Sequence, residues 1–172
     1  MIITVSLLVV FPGPTKAASP KKLGTFGYWH TYVLYEGKDP VCYMSLTADP
    51  PHKKGKENQR GNVVLMITHR PAESSFDVVS YKAGAQFKPS TDVVVRADGK
   101  KFHLFTKNDT AWARDSATDQ ALTLALRKDF NAVVTGQLAS KGKIADNVNL
   151  KGSNAAYKQI SKACAAPVMS LP

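Results

Sequence analysis

Apolar and polar positions alternate along most of this chain with the period of two that a pleated strand imposes, and helical spacing takes over only late in the sequence. Tyr28 to Tyr35 (YWHTYVLY), rich in aromatic and β-branched residues, reads as a first strand. The turn residues Glu36 to Pro40 separate it from Val41 to Thr47, where Cys42, Met44 and Leu46 fall on one face. Val63 to Thr68 is apolar on both alternating sets of positions, the pattern of a central strand covered on both faces. Pro71 cannot donate to a sheet ladder, so this strand should stop near His69, turn through Arg70 to Ser75 and return as Phe76 to Tyr81. Asp98-Gly99, between VVVRA and KKFHLF, is a hairpin signal because both positions tolerate positive φ. Thr110 to Ala113 forms a further short strand with Trp112 as a core residue, and Ala132 to Leu138 with Ile144 to Leu150 forms a last hairpin.

Two segments carry helical spacing. In the first, from about Ala117 to Lys128, Ala121, Leu122, Ala125 and Leu126 share a stripe, Ser116 is placed to cap, and Arg127-Lys128 puts positive charge in the last turn. The second, from about Asn154 to Ala163, groups Ala156, Ile160, Ala163 and Cys164, with Ser153 placed to cap. Strands in consecutive hairpins with late helices exclude a doubly wound parallel sheet. The expected fold is mainly β, an antiparallel sandwich or partly open barrel with two short helices (117–128 and 154–163) at its ends or over an open edge. It forms one domain over about Gly24 to Ala165, and residues 166–172 are a tail with no evident partner.

Ile2 to Phe11 is an uninterrupted apolar run followed by Pro12-Gly13-Pro14 and small residues at Ala17, Ala18 and Ser19, which is the layout of a signal peptide over residues 1–19. No basic residue precedes the run, and a buried N-terminal strand is the alternative. The run is too short to span a bilayer, which takes about 20 apolar residues. Export makes an oxidising compartment the setting for Cys42 and Cys164, which then form the only available disulfide pair; in a reducing compartment they would be two buried thiols.

Among the 172 residues, 44% hydrophobic and 21% charged residues are ordinary for a folded domain, whereas a net charge of +10 is not. The charge is densest in Asp49 to Gly61 (DPPHKKGKENQRG), which has no apolar residue beyond its prolines and reads as a surface loop. Lys53, Lys54, Lys56 and Arg60 in that loop, with Lys100 and Lys101 at a hairpin tip, are the candidate residues for binding an anionic surface; a merely solvated loop is the alternative. The loop has no aromatic residue on which a base would stack, so nucleic acid is not an expected partner. An anionic host surface or envelope component, such as lipopolysaccharide, sialylated glycan or acidic protein, is.

His30, His52, His69 and His103 are too scattered for a zinc motif, and neither cysteine has a nearby ligand partner, so no metal or cofactor is expected. His69-Arg70 could be an acid or anion site at a strand end, or a histidine bonded to backbone beside an arginine paired with Glu73 or Asp77. Asp115 and Asp119 near a helix start could serve as paired carboxylates, or simply favour the helix dipole. No nucleophile elbow, phosphate-cradling loop or dinucleotide fingerprint is present, so no catalytic residue is assigned.

VCYM at Val41 to Met44, VVLMITHRPAESSFDVVSYKAG at Val63 to Gly84, KFHLFTKNDTAWARDSATDQAL at Lys101 to Leu122 and AAYKQISKAC at Ala155 to Cys164 together resemble the invasion-associated locus B family of exported proteins of Gram-negative bacteria. The similarity runs from about Gly24 to Ala165. It implies a mainly β, periplasmic or outer-membrane-associated protein linked in some pathogens to entry into host cells, with no catalytic residues to carry over. The chain departs from the family in having Tyr28, where relatives often carry a polar or acidic residue, between Gly27 and Trp29, and in its short leader. Two functions follow as expectations: a non-enzymatic envelope protein supporting host-cell association, or a general periplasmic ligand-binding or chaperone-like module holding a small apolar molecule.

Overall fold

The computed structural model of the protein describes residues 19–48, 60–140 and 142–171. The expected leader, apart from Ser19, and Lys53, Lys54 and Lys56 of the basic loop lie outside the described residues. The chain forms β1 (Lys21–Phe26), β2 (Trp29–Glu36), β3 (Asp39–Ala48), β4 (Val63–Arg70), β5 (Ser75–Lys82), β6 (Val93–Ala97), β7 (Lys100–Lys107), β8 (Thr110–Trp112), α1 (Ser116–Lys128), β9 (Asn131–Leu138), β10 (Gly142–Asn149) and α2 (Ser153–Ala163). The strands make one antiparallel ten-stranded sheet, ordered β1-β2-β3-β4-β5-β8-β7-β6-β9-β10, which does not close.

The fold class is as the alternation implies, but the neighbours are not all consecutive. After β5 the chain skips through a connector and returns so that β8, not β6, pairs with β5, and β6 pairs with β9. Strand β1 precedes the first strand that the alternation predicts; it is an edge strand whose existence depends on its ladder to β2. Asp98-Gly99 does turn the β6–β7 hairpin, with both residues at positive φ (49° and 68°). A 3₁₀ turn at Pro71–Glu73 ends β4, closed by Ser74 in the left-handed region.

Alternating side chains of β2 to β5 bury Trp29, Thr31, Val33, Met44, Leu46, Leu65, Ile67, Val79 and Tyr81 on one face, and α1, α2 and the β9–β10 end pack over that face. The opposite positions of β4, Val64, Met66 and Thr68, are only half-buried. The doubly apolar strand expected from sequence is therefore covered on one face, not both. Trp112, expected in the core, likewise points to the outer face opposite Ser80 and Phe105 and is half-exposed.

Both helix starts differ from the expected caps. Asp115, not Ser116, caps α1, its carboxylate accepting from the Thr118 N–H at 2.7 Å. Helix α2 starts behind Gly152 at φ 93°, with no side-chain cap and Ser153 already inside the helix. A side chain at Gly152 would run into the Phe26 carbonyl, so the β1–β2 turn and the start of α2 meet backbone to backbone, with Tyr28 N–H donating to Lys151 O at 3.2 Å. The tail is not free: Ala166 N–H donates to Ser161 O at 2.9 Å, and Arg127 Nη1 donates to Met169 O at 2.8 Å.

Candidate functional site

The densest buried polar chemistry lies where α1 and α2 meet the β4–β5 pair. Between Thr68 and Arg70 the ladder slips, so Phe76 and Asp77 on β5 stand against His69 alone, and Asp77 adopts φ 63°. Such a bulge re-aims side chains and backbone groups. Here it turns the Asp77 N–H onto His69 Nδ1 at 3.1 Å, while His69 Nε2 meets Ser161 Oγ of α2 at 3.1 Å. The Asp77 carboxylate stands 4.0 Å from His69 Nδ1, with its Oδ1 buried and without a hydrogen-bond partner among the described residues.

Ser161, His69 and Asp77 thus carry the residue types of a hydrolytic triad, but their protons are placed the wrong way round. A nucleophilic serine must give its proton to a ring nitrogen lone pair, with the carboxylate holding an N–H on the other nitrogen. The Asp77 N–H occupies the Nδ1 lone pair, which leaves the proton of the neutral ring on Nε2, donating to Ser161. Burial holds the imidazole neutral by lowering its pKa to about 4. His69 and Ser161 are 0% and 1% exposed, so substrate has no approach. The group is a structural clamp of α2 onto the sheet, closer to the backbone-bonded reading of His69 than to a site.

Tyr157 continues the clamp, its ring edge-on to His69 and beneath the Arg127 guanidinium, 4.0 Å from the ring centroid. Burial pushes the Tyr157 hydroxyl up to about 12 and the Asp77 carboxyl above its ordinary range, the latter partly offset by Tyr157 and Arg127. On the other side, Asp119 of α1 accepts from the Val79 N–H at 2.8 Å and Thr123 Oγ1 donates to Asp77 O at 3.1 Å. Strand β8 pairs with only Ser80 to Lys82 of β5, so these two side chains take the place of a neighbouring strand on the rest of that edge. Burial pushes the Asp119 carboxyl up to about 6. Asp115 and Asp119 therefore do not work as a pair: one caps a helix, the other seals a strand edge.

Cys42 and Cys164 form a disulfide that ties β3 to the end of α2. Arg70 donates to both carboxylate oxygens of Glu36 at 2.9 and 3.1 Å and to Glu73 at 3.2 Å. The Glu73 partner follows from the turn; Glu36, 34 positions earlier, has no sequence signal.

The basic candidates separate. Arg60, expected on the anion-binding surface, is a correction: its side chain is 1% exposed and donates to Asp146 at 2.7 Å, and Tyr81 OH donates to the same carboxylate. Its neighbours in sequence are loop-like, but its guanidinium enters the space between β5 and β10 and neutralises an inward-facing acid. Lys100 and Lys101 are exposed at the start of β7, and Lys101 stands directly opposite Arg96, which is also exposed. An open groove of about 510 Å³ runs between Lys101, His103, Arg114 and the first turn of α1.

No group of three or more metal-ligating side chains occurs among the described residues, and none of their helices is long and apolar enough to cross a membrane. No curated protein and no solved structure matches the chain. The model of the family described as invasion associated locus B (IalB) protein matches residues 29–161, a span that takes in the disulfide-bearing β3, the His69 clamp and the outward cations of β6 and β7, and the chain belongs to that family.

Proposed function

We propose that this protein is an exported, non-catalytic envelope protein that supports host-cell association through a cationic surface. The observation that carries the reading is the pairing of Arg96 with Lys101 across the β6–β7 ladder, both exposed, beside Lys100. Like charges directly opposite on a sheet destabilise it, and a domain gains from keeping them when something anionic lies against them. Family membership and the Cys42–Cys164 disulfide support export. The alternative, a barrel holding a small apolar molecule, gains no support from the interior, where Trp29, Tyr81, Tyr157, Leu65 and Ile67 fill the space under the helices.

Replacing Lys53, Lys54, Lys56, Lys100 and Lys101 together by glutamine is expected to weaken binding to host cells and to flatten its dependence on ionic strength. Binding and salt dependence equal to those of the parent protein would refute the cationic-contact reading.

A further inference from the structure

The outer face of the sheet carries a continuous band of aromatic and aliphatic side chains, each of them half-buried. Two cross-strand rows run over it. One joins Tyr32, Tyr43, Thr68 and Val78; the other joins Ser45, Met66, Ser80, Trp112 and Phe105. Tyr32 stacks on Tyr43 with centroids 5.1 Å apart, and Phe105 lies 5.8 Å from Trp112. None of these side chains belongs to the core beneath the helices. The aromatic row then runs into positive charge: the outward positions of β7 read Lys101, His103, Phe105, Lys107, with Arg96 facing Lys101 and Arg114 lying 5.9 Å over the Phe105 ring. Asp92 is shared between Arg114 at 2.8 Å and His103 at 3.9 Å, and Arg96 and Lys101 have no acidic side chain within ion-pair distance among the described residues.

We propose that this face docks on an anionic lipid bilayer, with Phe105 and Trp112 entering the headgroup level and Arg96, Lys101 and Lys107 lying against lipid phosphates. The inference rests on the envelope-protein reading above and names its partner and its face. Aromatic rings beside cations are the side chains that settle at a membrane interface, and each basic residue near an anionic leaflet adds to the attraction. Glycans and single-stranded nucleic acids also stack on rings. The aliphatic Val64, Met66 and Val78 that extend the rings favour a bilayer, because they gain by leaving water only where an apolar medium receives them.

The experiment mixes purified, oxidised protein with phosphatidylcholine vesicles, with and without phosphatidylglycerol, and follows co-sedimentation against ionic strength. Sedimentation is expected with the anionic vesicles alone, and to fall with salt. Brominated lipid is expected to quench Trp112 but not Trp29, which is 0% exposed, so quenching disappears in Trp112→Phe. Arg96→Gln with Lys101→Gln, both at exposed positions, is expected to lower vesicle affinity on the order of tenfold. Equal sedimentation with neutral vesicles, absent quenching, unchanged binding by the double variant, or tighter binding of heparin or a single-stranded oligonucleotide would each overturn the proposal. Host-cell association by a protein that ignores the vesicles overturns the lipid assignment while leaving the cationic-contact reading standing.

Discussion

His69 and Asp119 lie on the two sides of the β5 bulge, and burial moves their proton affinities in opposite directions. His69 has a folded pKa near 4 against an ordinary 6.5, so the unfolded chain binds more protons over that interval and stability falls as pH drops through it. Asp119 has a folded pKa of about 6 against 3.8, so the folded chain binds more protons there and stability rises as pH drops. The two contributions oppose each other between about pH 4 and 6. Asp119→Asn, which keeps an acceptor for Val79, should therefore lose stability toward acid more steeply than the parent, and His69→Gln less steeply. Urea midpoints over pH 4 to 7 check this; curves parallel to the parent for both variants would contradict it. Little of this was legible in the sequence. In the sequence His69 stands out only as the residue before Arg70; its partner Ser161 is 92 positions away and its Nδ1 partner is a backbone group that only the bulge presents.

Helix α1 shows what an element contributes beyond its own stripe. Its periodicity, its length to within a residue and its basic last turn were readable, because Leu122, Ala125 and Leu126 repeat at the helical period. That it stands in for a strand was not, since the need arises from the shortness of β8 and from the Val79 N–H pointing away from β4. Asp119→Ala should leave that amide buried without an acceptor and cost on the order of 2 kcal/mol, measurable by equilibrium denaturation. Asp119→Asn at neutral pH should cost less, and equal losses would argue against the hydrogen bond as the cause. Strand β1 illustrates the converse: KKLGTF has weak alternation and becomes a strand because β2 supplies its partners. Local pattern finds elements that carry their own apolar face, and misses those defined by a neighbour.

For the molecule as a whole, the antiparallel class followed from turn chemistry and period, whereas the order of strands β8, β7 and β6 depends on nonlocal pairing that no window of sequence contains. The disulfide was legible as the only pairing open to two cysteines in a chain whose N-terminus reads as a leader. It closes a loop of 122 residues, for which the chain-entropy model assigns about 5 kcal/mol. Cys42→Ser with Cys164→Ser should lower the denaturation midpoint accordingly, and an unchanged midpoint would show that the unfolded chain gains nothing from the constraint.

The same bond decides how the protein would answer a mechanical pull. Once the segments outside the disulfide have been drawn out, tension applied at the two ends of the chain passes from Cys42 to Cys164 through the sulfurs, and the backbone of β4 to β10 and of both helices is bypassed. Only β1, β2 and the first part of β3 at one end, and the residues beyond Cys164 at the other, lengthen. A chain gripped at its two ends would release those segments and then stop. The outer sheet face from β4 to β7 would stay assembled under load.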